Sequence, residues 1–415
     1  MNIRTATIAG IPKELRIRDA ARNGQLAVSP ETVELSARVD KVVAIAAVHA
    51  AAVDGESRFP KEAIAAARAE RLLGVAVPRE FGGDGLSVAD VTDICYALGR
   101  ACASTAMIYA MHQTKVACIV RHGRGSPWHQ LLLRRLCAEQ LLLASSTTEG
   151  QAGGDLRNSA AAVDGETRIT LERQATVISY GEAADGIVTT ARRSADAASS
   201  DQVLVALLKE NYTLERLNGW DAFGMRGTCS AGYRLVASGL REQILPVSYE
   251  KIHSHTMMPF AHLVWSSAWA GIAAAAVERA RAFVRKAMHR SGGTLPPGAA
   301  HLTRAGASLR TLRGLIATST RRYEVAASDP AMLESMDFQT SMNMLKVNAS
   351  ELAVATVMSS MQACGLSGYR NDSEFSIGRH LRDILSSPIM ISNDRILANV
   401  AAASVLGATP ESLHD

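Results

Sequence analysis

"RITLERQATVISYGEAADGIVTTARRS", residues 168–194, decides the fold class. Apolar residues fall at every second position through Ile169, Leu171 and Ala175, the period of a strand whose side chains face alternate sides. Gly181, Asp185 and Gly186 then interrupt the run, and a second stretch rich in Val, Ile and Thr follows. "DQVLVALLKE" (201–210) and "AGYRLVASG" (231–239) repeat the pattern. These runs predict a small antiparallel β domain between Ala144 and about Pro246.

On both sides the period changes to three and four. "ETVELSARVDKVVAIAAVHAAAVDG" (31–55) and "KEAIAAARAERL" (61–72) read as helices, the second opened by Pro60 with Glu62 near the positive end of its dipole. "VPREFGGDGLS" (77–87) is a glycine-punctuated loop in which Ser87 caps the next helix. From about Pro259 onward the pattern is helical again, broken at "SGGTLPPG", "ASDP" and "GLSGYRNDS". The order helices, strands, helices gives an α+β chain with boundaries at 1–143, 144–248 and 249–415. At 415 residues, more than one domain is the physical expectation.

Composition excludes several classes. A net charge of +4 is too small to mark a nucleic-acid or membrane-surface protein. The 47% hydrophobic content suits a folded enzyme rather than a disordered chain. Six cysteines lie scattered with no CxxC spacing, as expected of a protein in a reducing cytoplasm. The N-terminal stretch lacks the apolar core of a signal peptide. "VWSSAWAGIAAAAV" (264–277) falls short of the ~20 apolar residues that span a bilayer and reads as a buried helix. His253 and His255 lack the third ligand of a metal site, so no metal is expected.

Four motifs carry a more specific reading: "VAVPREFGGDGLS" (75–87), "SSTTEGQAGGDL" (145–156), "GWDAFGMRGTCSAGY" (219–233) and "QACGLSGYRNDSEFSIGRHLRD" (362–383). In order and content they resemble signatures of the acyl-CoA dehydrogenase superfamily. The resemblance implies an N-terminal helical domain, a middle antiparallel β-barrel and a C-terminal four-helix bundle. It also implies FAD held between barrel and bundle, a homodimer or homotetramer whose neighbouring subunit closes the site, and desaturation of an acyl thioester carried by CoA or a carrier protein. An electron acceptor or a flavin reductase would complete the cycle.

Carried over residue by residue, the resemblance assigns Thr147, Thr148, Gly153 and Gly154 to the flavin loop, where hydroxyls and exposed N–H groups suit a flavin edge and pyrophosphate. Gly150 and Gly154 replace the family's proline and serine there. Ser179 stands where the family's threonine reaches flavin N5, and Val177 replaces a tryptophan. Gln362 and Gly365 match the segment that receives the adenine end, with Leu366 in place of a second glycine. The family's Arg-x-x-Phe-Gly is absent near "RKAMHRSGG", leaving Arg285, His289 or Arg290 to meet the phosphates. Counting forward from Arg382-Asp383, the family's Tyr-Glu-Gly-Thr falls on Met390-Ile391-Ser392-Asn393. The catalytic glutamate position is thus Ile391, whose backbone N–H remains to polarise a carbonyl, and Asn393 falls among the flavin contacts. The family's second position for the base falls on Ala261, beside His262.

Isoleucine supplies no base, and a positioned base is worth ~100- to 10,000-fold in rate. Three readings follow, of which FAD-dependent desaturation of an acyl thioester leads and the monooxygenase is the runner-up. Desaturation survives with a relocated base, His262 first and Asp394 or Glu374 after it. Alternatively, the protein is a two-component flavin monooxygenase on the same fold, which needs a dry pocket more than a carboxylate. In the third reading it binds flavin or acyl groups without turnover.

Overall fold

A computed structural model of the chain describes residues 30–149 and 158–406. Five helices come first: α1 (Pro30–Gly55), α2 (Lys61–Ala69), α3 (Val88–Ala101), α4 (Ala103–His122) and α5 (Pro127–Glu139). Ser87 opens α3 with a reciprocal cap. Its hydroxyl accepts from the Asp90 N–H at 3.2 Å, and the Asp90 carboxylate accepts from the Ser87 N–H at 3.0 Å. Two otherwise orphaned donors are satisfied, which fixes the start of the helix.

Seven strands follow: β1 (Leu143–Ser146), β2 (Val163–Asp164), β3 (Arg168–Ile178), β4 (Gly186–Arg192), β5 (Gln202–Leu208), β6 (Tyr212–Arg216) and β7 (Ala231–Leu240). They form two sheets, ordered β1-β4-β5 and β2-β3-β7-β6. The expected closed antiparallel barrel is therefore corrected. β1 pairs with β4 in parallel, and among the described residues only isolated bridges such as Glu149–Ala175 and Ala162–Arg192 run between the two sets of strands. β3 ends at Ile178, Tyr180 with φ +45° lies in the turn that follows, and β4 continues in the other sheet. β3 keeps the two-residue alternation that its sequence shows, and this turns Arg173 inward beside Leu171 and Ala175.

The C-terminal part contains α6 (Met258–Arg290), α7 (Ala299–Ala326), α8 (Met336–Cys364), α9 (Gly378–Ile384) and α10 (Asn393–Leu406). α6, α7 and α8 pack on one another, while α10 lies on α8. The expected four-helix bundle is thus represented by three mutually packed helices and a fourth resting on one of them. α6 also packs along α3, tying the two helical regions together. At that crossing Gly99 and Gly271 meet. A Cβ on Gly99 would fall 2.3 Å from the Ala268 carbonyl oxygen, and one on Gly271 would fall 2.3 Å from that of Tyr96. Only glycine admits such an approach. The helical stretch Tyr249–Arg290 is long and apolar enough to cross a membrane, yet 94% of its apolar window is buried inside the protein. A π turn over His253–Met257 precedes α6 and widens the helix where it meets the cavity described next.

Candidate functional site

A cavity of about 870 Å³ opens where the helices meet the sheets. α4 contributes Met107, Met111 and Lys115, and the β domain contributes Ser145, Thr147, Thr148, Val177 and Ser179. The segment between β6 and β7 adds Trp220, Met225, Thr228 and Ser230. The start of α6 adds Ala261, His262 and Trp265, and the loop before α10 adds Met390 and Ile391. Among the described residues no aspartate or glutamate lines it. Backbone strain clusters here: Tyr180, Met225, Cys229 and Ile391 all have φ between 45° and 52°. L-residues avoid that region, most of all a β-branched one, and such outliers persist where surrounding contacts enforce them.

The hydroxyls form a directed row. Thr228 Oγ1–H donates to the Met225 carbonyl at 2.8 Å. The Thr228 oxygen, 2.8 Å from Ser230 Oγ, must then accept, so Ser230 donates to Thr228. With its proton committed, Ser230 accepts from Ser179 at 2.7 Å. Ser179 therefore shows the cavity lone pairs only. The Met225 carbonyl also accepts from Trp220 Nε1 at 3.1 Å. The Met225 N–H donates to the Asp383 carboxylate at 2.7 Å, which holds the strained segment against α9. Burial raises the Asp383 carboxyl to about 6.

Beneath Thr147 and Thr148 lies a buried ion pair. Glu149 Oε1 is 3.3 Å from Arg173 Nη1, and both side chains are nearly inaccessible. The Glu149 carboxylate also accepts from the backbone N–H groups of Ala160 and Ala161, at 2.6 and 3.2 Å. Arg173 donates to the carbonyl and the hydroxyl of Thr190. The threonine loop is thus anchored to β3 and β4 through charge.

Ile391 sits in the cavity wall in the left-handed conformation. Its carbonyl accepts from Lys346 Nζ at 2.8 Å, and the same ammonium donates to Asn393 Oδ1 at 2.7 Å. Lys346 is fully buried on α8, and desolvation lowers it to about 8. The loop before α10 is thus pinned from behind by a lysine.

His262 reaches the cavity from α6. Its Nδ1 lies 2.9 Å from the Met342 carbonyl, so Nδ1 carries the proton and Nε2 is an acceptor. Complete burial pushes the imidazole down to about 3. It is neutral at ordinary pH and a weak base.

The structure gathers Thr147, Thr148, Ser179, His262 and Ile391 around one space. Gly153 and Gly154 lie outside the described residues. Asn393 is buried, but its amide is spent on Lys346 and Ser350 and it is not part of the wall. Gln362 and Gly365 lie exposed at the end of α8, away from the wall, and Gly365 adopts φ +54° to end the helix. Arg285, His289, Arg290 and Asp394 are likewise outside the wall, and Glu374 pairs with Lys286. Among the described residues no cluster of three His, Cys, Asp or Glu side chains could hold a metal. Sequence reading passed over Lys115, Trp265, Ser230 and Lys346. A heteroaromatic cofactor fits the wall: Ser179 offers an acceptor, and the Trp265 indole Nε1 is a buried donor with no partner among the described residues.

Residues 29–134 match the family model "Acyl-CoA dehydrogenase, N-terminal domain", and residues 255–406 match "Acyl-CoA dehydrogenase, C-terminal domain". The chain is 26% identical over 362 residues to cyclohex-1-ene-1-carbonyl-CoA dehydrogenase of Geobacter metallireducens, which covers 85% of this chain and 92% of that one. FMN-bound TdsC from Paenibacillus sp. A11-2, a dibenzothiophene monooxygenase, superposes with TM-score 0.77 at 18% identity, covering 90% of this chain and 98% of that one. A nitrososynthase from Micromonospora carbonacea var. africana superposes with TM-score 0.77 at 19% identity, covering 91% and 97%. With the family's two domain models matched over residues 29–134 and 255–406, the chain belongs to the acyl-CoA dehydrogenase superfamily.

Proposed function

We propose that the protein is a flavin-dependent monooxygenase that takes up reduced flavin, FMN or FAD, from a separate reductase. The reading is carried by the cavity wall, in which no carboxylate stands among the described residues. Proteins that resemble this chain include both a CoA-ester dehydrogenase and a monooxygenase, so the wall residues discriminate where the fold does not. Bound reduced flavin supplies two electrons to molecular oxygen, one atom of which enters the substrate while the other leaves as water.

The chain's own residues do the rest. Thr147, Thr148, Ser179 and Trp265 hold the ring, and the Glu149–Arg173 pair fixes the threonines. Methionines from α4 and α6 keep bulk water from the reacting centre. The Ser179–Ser230–Thr228 row presents an acceptor, which favours a reduced ring because reduction adds N–H donors to it. His262 keeps its proton on Nδ1 and offers Nε2 to a substrate hydroxyl or amine. One observation favours the dehydrogenase reading, in which an acyl thioester is desaturated on FAD: the same Nε2 lone pair faces the cavity. A base lowered to about 3 is poorly matched to removing an α-proton.

The test is anaerobic equilibrium dialysis with reduced and oxidised FMN and FAD. Reduced flavin is expected to bind about 10-fold tighter than oxidised flavin. Ser179→Ala should remove about 3- to 10-fold of the reduced-flavin affinity and leave the oxidised form unchanged. Equal affinity for the two redox states in the native chain would remove the support for oxygenase chemistry.

A further inference from the structure

Lys115 projects from the middle of α4 and is 4% exposed. It lines the cavity, and among the described residues the hydrogen-bond partner of its ammonium is Met257 Sδ at 3.5 Å. A thioether is a weak acceptor, whereas an ammonium carries three donors and a full charge. The other ionisable group felt there is the Cys118 thiol, itself held protonated by burial. Desolvation without an opposing carboxylate lowers Lys115 to about 8, which still leaves it mainly charged at neutral pH. A buried cation in this setting is costly unless an anion joins it.

Helix geometry separates this charge from the hydroxyl row. Ser104, near the start of α4, lies against Gly227, next to Thr228. Lys115 is eleven residues further along the helix, roughly 16 Å away at the rise of an α-helix. Between them α4 presents Met107 and Met111 to the cavity, and Met257 and Met258 face it from the π turn and α6. Thioethers at these positions make a deformable apolar sleeve that suits a ring or a short chain. The hydroxyl row thus lies at one end of the cavity, methionines line the stretch beyond it, and Lys115 stands at the far end; the other cations of the wall are Arg382, which is paired with Asp54, and Arg395 near the start of α10.

We propose that Lys115 is the specificity residue of the substrate site and binds the carboxylate of a small organic acid whose apolar body fills the methionine sleeve. The proposal rests on the oxygenase reading only for the reaction that follows binding. The anion pocket itself is measured without turnover. Bound acid would give the ammonium its missing acceptors in a low-dielectric setting, where charge-assisted hydrogen bonds are strong. Its far end would then extend toward the hydroxyl row.

The test uses the full-length chain without flavin, followed by quenching of the cavity tryptophans, with calorimetry as a check. The acids are benzoate, 3-phenylpropanoate and octanoate, each paired with its neutral alcohol. At least one acid is expected to bind ~10-fold or more tightly than its alcohol. Lys115→Met, close in length and free of charge, should bring acid and alcohol within about 2-fold of each other while the alcohol's affinity and the melting midpoint hold. Lys115→Arg should retain part of the preference. Equal binding of acids and alcohols, an undiminished acid preference in Lys115→Met, or no saturable binding by any of the acids would overturn the proposal. A parallel arm compares FMN with riboflavin. If Lys115→Met weakens FMN alone and leaves acid binding intact, the anion is the cofactor's phosphate and the proposal fails. Failure of reduced flavin to support oxygen chemistry would strike the oxygenase reading and leave the acid-binding result standing.

Discussion

Arg173→Met is expected to lower the stability of the folded chain by about 3–5 kcal/mol, read from the midpoint of chemical denaturation. The loss comes less from the missing attraction than from what stays behind. The Glu149 carboxylate, nearly inaccessible, would keep two backbone N–H donors and lose its counter-charge. Thr190 would lose the guanidinium that its carbonyl and hydroxyl share. Pairing the change with Glu149→Leu should recover much of the loss, because replacing a buried ion pair with apolar side chains is often neutral or better. A double variant no more stable than Arg173→Met would show that the arginine acts through some contact other than the pair. The single variant should also weaken flavin binding, since Thr147 and Thr148 lose their anchor.

Asp383→Asn should make stability less dependent on pH, with a computable sign. Burial raises the native carboxyl from near 4 to about 6, an effect opposed by the Met225 N–H and by Arg379 and Arg382 and reinforced by Asp54. Between those two values the native state holds a proton that the unfolded state has released. Folding stability contributed by this group is therefore fully present below about 4 and declines as pH rises through 6. The decline is on the order of 2–3 kcal/mol. Asparagine keeps an acceptor for the Met225 N–H and does not titrate. Relative to the native chain, the variant should gain stability between pH 4 and pH 7 by about that amount. Parallel stability curves for the two proteins across this range would contradict the assignment.

Both effects arise from side chains whose roles were only partly legible in the sequence. The change of period at residues 168–194 and the Ser87-x-x-Asp90 cap are local signals, and the structure follows them. Sheet closure is not local. Nothing in the spacing of the strands shows that β1 would pair in parallel with β4 or that β3 would leave β4 for β7. Counting from Arg382-Asp383 singled out Ile391, and that residue lines the cavity. The same count assigned Asn393 to the cofactor. Its amide instead serves Lys346, a partner 47 residues distant that only tertiary packing brings near. Lys115 carried a visible signal, the one lysine of "AMHQTKVACIV" (110–120), followed directly by five apolar residues. Its burial depends on Met257, which lies 142 residues away.

The central claim is that this member of the superfamily has given up α-proton abstraction. The direct measurement is the anaerobic reductive half-reaction. The chain is loaded with oxidised flavin, mixed with aliphatic and aromatic acyl-CoA thioesters, and followed by flavin absorbance. With Ile391 in the wall, His262 held neutral and no carboxylate there among the described residues, the flavin should stay oxidised with every thioester. Bleaching that depends on the thioester and saturates with its concentration would show that the cavity still desaturates, and would contradict the account.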